Sequence, residues 1–271
     1  MKTYWILGHP LSFCLTTPVM NRTFSELKID AKFETKDLPP EKLEEAIQKL
    51  RSGELAGLIP TLPFKTPSIQ YLDVASKAVK TINSVNLILP KGKKLYGRNT
   101  DWVGAIEALK DKLPSLKGLH VHVIGAGGAA RAAAYGCKKE KAKVSIWNRT
   151  PEKAKDFAEK IKIEHVEDMR KWDGRPDVII NATAVSSHSK QSSLVPFPLW
   201  ENVKLAMDAV YGKTSLFLEE AKAANVEHVL SGETWFLKQF VPIFKRITGQ
   251  KEAPMELITW LIHEAKIIRK A

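Results

Sequence analysis

The chain has 271 residues and carries 42 Lys and Arg against 30 Asp and Glu, a formal net charge of +12. Hydrophobic residues make up 44% and charged residues 27% of the chain, which predicts a folded globular protein rather than a disordered one. The cations are scattered without an arginine-rich arm, which argues against nucleic-acid binding, and no apolar run approaches the roughly 18 residues that span a membrane.

The first hundred residues alternate between predicted strands and helices, which indicates a mixed α/β lobe. Strands are predicted over residues 4–7, 32–36 and 55–59, and a hairpin over 84–89 and 94–97. A helix opened by Pro39-Pro40 and closed near Gly53 places four apolar residues on one face: Leu43, Ala46, Ile47 and Leu50.

Two prolines predict a stiff turn over residues 60–65 that ends at Lys65. Asp101 stands where the next helix begins, and a paired carboxylate keeps a lysine charged and ready to donate a proton. Taken alone, Lys65 is better explained as a solvated surface lysine, and Asp101 is equally well explained as a helix N-cap.

A second set of predicted strands begins at Leu119 and continues through Val144, Val178 and Leu205. Two sets of strands predict two lobes with a cleft between them, joined by the helix that starts near Asp101. Near the C-terminus, residues 232–247 predict a helix bent or interrupted by Pro242, and Pro254 opens another.

A glycine-rich turn follows the apolar run 121–124, and an alanine-rich helix follows the turn. Gly125, Gly127 and Ala130 have the G-x-G-x-x-A spacing of dinucleotide sites, in which the helix N-terminus receives the pyrophosphate. A tight turn without a ligand is the alternative interpretation.

The strand predicted over 143–147 ends at Asn148-Arg149-Thr150 without the acidic residue that binds a ribose 2′-hydroxyl in NAD sites. Arg149 and Lys153 therefore favour NADP over NAD, unless both are ordinary surface charges. Thr150-Pro151 also predicts a helix N-cap followed by proline at the first helical position.

The histidines and cysteines of the sequence predict no metal site. His120 and His122 share one strand face without a third ligand, and His188 lies in a serine-rich loop. Cys14 and Cys137 lie far apart in the chain, which predicts a reducing, cytoplasmic setting without disulfides.

Six motifs in one order resemble the shikimate dehydrogenase family from about Tyr4 to Gln239. They are Pro63-Phe64-Lys65, Ile82-Asn83-Ser84, Asn99-Thr100-Asp101, Gly125-Ala126-Gly127-Gly128-Ala129-Ala130-Arg131, Asn148-Arg149-Thr150 and Ile180-Asn181-Ala182-Thr183. The resemblance implies an N-terminal substrate-binding and catalytic domain (1–100), a Rossmann-like NADP domain (101–237), and C-terminal helices (238–271) that return to the first domain. The implied reaction is the NADP-dependent, reversible reduction of 3-dehydroshikimate to shikimate, in chorismate and aromatic amino-acid biosynthesis.

The resemblance also implies a role for each site residue. Lys65 and Asp101 are the implied catalytic pair. The implied substrate-binding residues are Cys14, Thr16, Thr61, Asn83, Tyr211 and Gln239. The implied NADP-binding residues are Gly125, Ala126, Gly127, Gly128, Ala129, Asn148, Arg149, Thr150, Lys153, Ala209 and Gly232.

The departures from the family pattern lie on the substrate side. Cys14 and Thr16 stand where the family has two serines, Ile59 where it has Asn, and Trp102 where it has Gly. A thiol is a weak hydrogen-bond donor. Two alternatives therefore stay open: a quinate or aminoshikimate type of dehydrogenase, and a weakly active binding protein. The expected partner is a small cyclic hydroxy acid, and the expected assembly is a monomer or homodimer.

Overall fold

The computed structural model of the chain describes residues 1–11, 14–183, 195–210 and 215–270, with the backbone alone at 265–270. It divides into two compact units. The first comprises Met1–Thr100 and Val241–Ala271, and the second comprises Asp101–Phe240. The α/β class predicted from the sequence is confirmed, since each unit is built around its own β-sheet.

The first unit contains a mixed sheet with the order β2-β1-β3-β5-β6-β4. Its strands are β1 (Lys2–Gly8), β2 (Ala31–Asp37), β3 (Gly57–Pro60), β4 (Val74–Ala75), β5 (Leu87–Lys91) and β6 (Lys94–Arg98). Strands β2, β1 and β3 are parallel, so their carboxyl ends lie at one edge of the sheet. Strands β5 and β6 form the predicted antiparallel hairpin.

Three helices from the described part of this unit pack against this sheet. They are α1 (Thr16–Glu26), α2 (Leu43–Ser52) and α3 (Lys77–Ile82). The four apolar residues predicted for one face of α2 are all buried, in a cluster with Leu7, Leu58 and Phe64. The sequence did not predict α3 or the two-residue strand β4.

The second unit contains a parallel sheet with the order β9-β8-β7-β10-β11-β12. Its strands are β7 (His120–Ile124), β8 (Lys143–Trp147), β9 (Glu164–His165), β10 (Val178–Asn181), β11 (Leu205–Asp208) and β12 (His228–Leu230). Its helices are α4 (Asp101–Lys110), α5 (Gly128–Lys139), α6 (Pro151–Ile161) and α7 (Leu216–Ala223). This is the strand order of dinucleotide-binding folds, in which the chain reverses direction across the sheet between the two central strands.

Two helices complete the described chain, α8 (Gly232–Thr248) and α9 (Met255–Lys270). The helix predicted over 232–247 is confirmed, and it continues through Pro242 without the interruption that was one of the two predicted effects of this proline. Proline removes one backbone donor, but Phe240, Ile243 and Phe244 are buried on either side of it and favour an unbroken helix. Helix α9 packs against α1, so the chain ends in the first unit as predicted. No helix among the described residues is long and apolar enough to cross a bilayer.

The core of the second unit contains two histidines on one face of β7. His120 Nε2 and His122 Nδ1 each lie 2.9 Å from the hydroxyl of Ser145 on β8. The ring of His122 also stacks on Trp172, with centroids 4.5 Å apart. Burial lowers the pKa of His122 to about 3, with a further contribution from the charge of His120. The folded protein therefore holds His122 neutral.

This buried histidine predicts a loss of stability in acid. In the unfolded chain His122 takes up a proton near pH 6.5, whereas in the folded protein it does so only near pH 3. Its stabilising contribution is complete above the unfolded pKa and falls as the pH drops toward 3. Between pH 7.5 and pH 5 we expect a loss of about 2 kcal/mol in unfolding free energy from this residue.

Urea unfolding at the two pH values measures this loss. In His122→Leu, which cannot titrate, the difference between the two pH values should shrink by about the same amount. His263→Leu, at an exposed position of α9, is the control and should behave like wild type. An unchanged pH dependence in His122→Leu would show that His122 is not the group responsible.

Candidate functional site

The glycine turn between β7 and α5 lies beside the end of β10. Gly125 has φ +112°, which L side chains rarely adopt, and a Cβ there would meet the carbonyl oxygen of Ala182 at 3.1 Å and Cγ2 of Thr183 at 3.2 Å. The Gly125 N–H donates to the carbonyl of Trp147 at the end of β8. The turn is thus held between β8 and β10, at the point where the strand order reverses.

Helix α5 begins with its backbone donors open. Gly127 occupies the N-cap position and has no side chain with which to cap the helix. A Cβ on Gly127 would meet nothing within 4 Å, so glycine here leaves space for a ligand rather than relieving a contact within the protein. Free N–H groups and the positive end of the helix dipole make such a helix start a site for phosphate.

Arg131, in the first turn of α5, holds the glycine turn through a hydrogen bond. Its Nη1 donates to the carbonyl of Ala126 at 3.3 Å, and burial lowers the pKa of its guanidinium. Ala130 is completely buried, which fits the close approach of helix and strand that the motif predicts.

A buried polar pair connects the ends of β10 and β11. Asn181 Nδ2 donates to Oδ1 of Asp208 at 3.3 Å, and the backbone N–H of Val210 donates to the same oxygen at 3.0 Å. The side-chain oxygen of Asn181 accepts from the hydroxyl and the backbone N–H of Thr183. The pair therefore fixes the first residues after β10 and β11, namely Thr183 and Val210. Reasoning from the sequence did not find this role of Asp208.

The turn between β8 and α6 carries the predicted cationic group. Arg149 and Lys153 are exposed, and Asn148 Nδ2 donates to the carbonyl of Thr150 at 2.9 Å. Thr150 is the N-cap residue and Pro151 the first helical residue, as predicted, but the Thr150 side chain makes no capping bond. The first turn of α6 therefore also presents uncapped N–H groups.

A cavity of about 630 Å³ opens beside this turn, within the size range of small-ligand pockets. Trp147, Asn148 and Arg149 line one wall, and Val195 and Phe197 line another. Glu167 and Asp168, which follow β9, also line the cavity. The sequence pattern indicates only the end of β8, so these nearby acids were not predicted.

Three residues on one face of helix α8 contact other segments of the second unit. Gly232 lies against β11, because a Cβ there would come within 2.6 Å of the Ala209 carbonyl oxygen. One turn later, Trp235 Nε1 donates to the backbone carbonyl of Asp101 at 2.9 Å. After another turn Gln239 meets α4, since a Cβ on Gly104 would lie 2.7 Å from the Gln239 nitrogen. The predicted residues Asp101 and Gln239 thus lie on two helices, α4 and α8, that contact each other.

In the first unit, Thr61 lies beside the loop that follows β1. Its N–H donates to the carbonyl of Leu7 at 2.8 Å, and a Cβ on Gly8 would come within 2.8 Å of its methyl group. His9 Nδ1 lies 2.8 Å from Asp37 Oδ1, and this contact, with the N–H of Leu11, lowers the pKa of Asp37. The loop is therefore tied to both neighbouring strands.

Lys65 and Asn83 lie on segments that are joined by backbone hydrogen bonds. The carbonyl of Lys65 accepts from Val85 N–H at 2.8 Å, and the hydroxyl of Thr66 donates to the carbonyl of Asn83 at 2.9 Å. Asn83 ends α3 with φ +55°, in the left-handed region that Asn tolerates.

The segment before Asp101 is fixed by buried side-chain amides. Asn86 Nδ2 donates to the Thr100 hydroxyl at 2.9 Å, and Asn86 Oδ1 accepts from the Thr100 N–H at 2.7 Å. Asn99 donates to the carbonyl of Ser84. The Asn99-Thr100 motif thus has a structural task that the sequence did not reveal.

The remaining predicted residues belong to the substrate side. Cys14 is half-buried and Thr16 begins α1. Ile59 is buried in β3 opposite Ile6, so the position where the family has Asn presents an apolar side chain to the core. Tyr211 and His188 lie outside the described residues. Within the described ranges, no three His, Cys, Asp or Glu side chains group as a metal site requires.

Two family models match the chain. Residues 6–88 match the model described as shikimate dehydrogenase substrate binding domain. Residues 107–195 match the model described as shikimate / quinate 5-dehydrogenase.

Curated relatives and solved structures agree with these models. The NADP(+) shikimate dehydrogenase of Pyrococcus abyssi is 36% identical over 92% of this chain and 93% of its own length. The corresponding protein of Aquifex aeolicus is 32% identical over 92% and 91%. The crystal structure of the Thermus thermophilus shikimate 5-dehydrogenase in complex with NADP(H) and shikimate matches with a TM-score of 0.87 and 30% identity, covering 98% of this chain and all of that one.

The two glycines of the turn should differ in how their replacement by alanine changes the free energy of unfolding. Gly125→Ala forces an L residue to φ +112° and against the Ala182 carbonyl, which should lower the unfolding free energy by about 1–3 kcal/mol. Gly127→Ala has ordinary extended backbone and open space, so its stability should stay within about 1 kcal/mol of wild type. Thermal unfolding of the two variants measures the contrast. Equal melting temperatures for both would contradict the geometry of the turn.

Proposed function

The chain belongs to the shikimate dehydrogenase family, and on that premise we propose that Lys65 and Asp101 form the catalytic pair of its reaction. The protein is an NADP-dependent oxidoreductase that interconverts 3-dehydroshikimate and shikimate. The observation that carries the cofactor side of this proposal is the open start of α5 at Gly127, next to a turn that bears exposed Arg149 and Lys153.

The residues of the glycine turn fit a dinucleotide. We propose that the backbone of residues 125–129 holds the pyrophosphate and that Asn148, Arg149, Thr150 and Lys153 hold the 2′-phosphate. Both helix starts lack a side-chain cap, so their N–H groups remain available to anionic oxygens. Ala209 and Gly232 border the nicotinamide in this proposal, and their close approach leaves no room for larger side chains. When bound, NADP supplies or accepts the hydride.

The protein must move the proton that accompanies the hydride. We propose that Lys65 donates a proton to the oxygen that becomes a hydroxyl, and takes it back in the reverse direction. Asp101, nearby in this proposal, keeps the ammonium charged and orients it. The backbone of both residues is held by hydrogen bonds. The carbonyl of Lys65 accepts from the N–H of Val85, and the carbonyl of Asp101, at the start of α4, accepts from the indole of Trp235.

Substrate recognition falls to polar groups around this pair. We propose that Thr61, Asn83 and Gln239 bind hydroxyl groups, and that Thr16, Cys14 and Tyr211 lie at the carboxylate. The contact between His9 and Asp37 fixes the first residues after β1, which precede Cys14 in the chain. A thiol donates weakly, so the carboxylate should depend more on Thr16 than on Cys14.

We assign substrate binding to residues 1–100, NADP binding to 101–237, and a supporting role to the returning helices of 238–271. The cytoplasm is the proposed compartment, because both cysteines are free thiols. A monomer or homodimer is the proposed assembly.

Removal of the lysine tests the catalytic role. Lys65→Ala should lower kcat by about 10²- to 10⁴-fold, because the reaction loses its proton donor. The dissociation constant for NADP should hardly change, since the proposed cofactor residues lie elsewhere. Steady-state kinetics with shikimate and NADP, followed at the nicotinamide absorbance, measure the effect. Lys93→Ala, on the exposed turn of the β5–β6 hairpin, is the control. Wild-type turnover in Lys65→Ala would exclude this role.

Removal of the arginine tests cofactor choice. Arg149→Ala should raise KM for NADP by about 10- to 100-fold, because a charge-assisted contact to the 2′-phosphate is lost. KM for NAD, which lacks that phosphate, should change little. Lys155→Ala, an exposed cation on helix α6 just after this turn, is the control. If KM for both cofactors rose equally in Arg149→Ala, the arginine would not be reading the 2′-phosphate.

A further inference from the structure

Trp235 contacts Asp101 at its backbone. The indole Nε1 donates to the carbonyl oxygen of Asp101 at 2.9 Å, across 134 positions of sequence. The donor and the acceptor are both buried, with Trp235 5% exposed and Asp101 4% exposed. Water therefore competes little for this hydrogen bond, and its geometry is well defined.

The position of the acceptor gives the bond its consequence. Asp101 is the first residue of α4, so helical backbone follows it but does not precede it. A donor on the carbonyl of this residue restrains the peptide plane between Asp101 and Trp102. Because that plane helps to set the backbone dihedrals of Asp101, it also sets the direction in which the carboxylate leaves the chain.

The surrounding contacts of the second unit hold Trp235 itself in place. Its side chain belongs to the buried cluster that includes Ala105, Ile106 and Leu230. On the same face of α8, Gly232 is pressed against β11 and Gln239 against α4. The indole is therefore a rigid donor attached to a rigid helix.

We propose that Trp235 is a positioning residue for the reaction and acts through Asp101, by fixing the backbone from which the catalytic carboxylate extends. This inference rests on the proposed function, because the orientation of Asp101 matters to turnover only if Asp101 works with Lys65. Trp235 itself need touch neither substrate nor cofactor.

A double-mutant cycle separates the inference from the proposed function. The variants are Trp235→Phe, which keeps a ring but removes the donor, Asp101→Asn, and the two combined. Trp172→Phe is the matched control, because it also removes one indole hydrogen bond in the same unit, the 2.8 Å bond to Glu164. For each protein we would measure kcat, both KM values, the pH profile of kcat, and the NADP dissociation constant.

We expect Trp235→Phe to lower kcat by about 5- to 50-fold, as one lost hydrogen bond and a small displacement of the carboxylate predict. The pH at half-maximal kcat should also move, because the lysine loses part of its partner's influence. The NADP dissociation constant should equal that of wild type. In the Asp101→Asn background, Trp235→Phe should cause no further loss, since both changes then act at one point. Trp172→Phe should match wild type throughout.

The other outcomes overturn one idea or both. If Asp101→Asn turns over like wild type, the proposed function fails at Asp101 and the inference fails with it. If Asp101→Asn is slow but Trp235→Phe behaves like Trp172→Phe, the inference alone is wrong. The inference is also wrong if the two losses multiply in the double mutant, or if the main effect of Trp235→Phe is weaker NADP binding.

A second variant covers a failure of Trp235→Phe to fold. Replacement of Trp235 by β-(3-benzothienyl)alanine keeps the size and shape of the indole and exchanges the N–H for sulfur. This protein should show the same loss of kcat and the same change in pH profile, with a circular dichroism spectrum like that of wild type. Wild-type kinetics in this isostere would refute the role of the indole donor.

Discussion

The parallel pairing of β7 with β10 is the constraint on which the cofactor half of the molecule depends. Ile124 pairs with Asn181, so the two strands end side by side while their neighbours lie in opposite directions across the sheet. The turn after β7 must then pass within contact distance of the loop after β10, and only a residue without a side chain fits there at φ +112°. Gly125 satisfies that demand, which leaves Gly127 and the start of α5 facing open space. The backbone of the fold therefore provides the proposed anion site before any ligand-binding side chain is considered.

Much of this fold could be predicted because its main elements carry strong local patterns. Strand β8 has the predicted bounds, and the apolar face of α2 is buried as its spacing indicates. Strands β4 and β9 have only two residues each, too short for a periodic pattern, and they exist because longer strands pair with them. Helix α8 passes through Pro242 because tertiary burial of its apolar residues outweighs one lost backbone bond. Local rules thus failed where packing between distant segments decides the outcome.

The same distinction applies to the candidate site. The glycine turn is formed by residues that are close together in the sequence, and so is the cationic turn after β8. The spacing of residues was therefore enough to indicate each of them. The links of Asn181 to Asp208, Asn86 to Thr100 and Trp235 to Asp101 join segments far apart in the chain. The spacing of apolar residues along the sequence does not indicate contacts of this kind. The acids Glu167 and Asp168 escaped notice for the same reason, since they reach the cavity from β9 rather than from β8.

One departure from the family pattern, Trp102, is explained by where the structure puts its side chain. Trp102, which follows Asp101 in place of the usual Gly, packs its ring edge to face with Tyr135 at 5.7 Å and under the ammonium of Lys139 at 5.0 Å. These partners belong to α5, so the added bulk strengthens the contact between α4 and α5 without requiring space at the Asp101 carboxylate. Backbone bonds hold both members of the proposed pair, at the carbonyl of Lys65 and at the carbonyl of Asp101. A proposed site whose reactive groups are held through the main chain can accept different side chains around it, which fits the presence of Lys65 and Asp101 together with Cys14, Ile59 and Trp102.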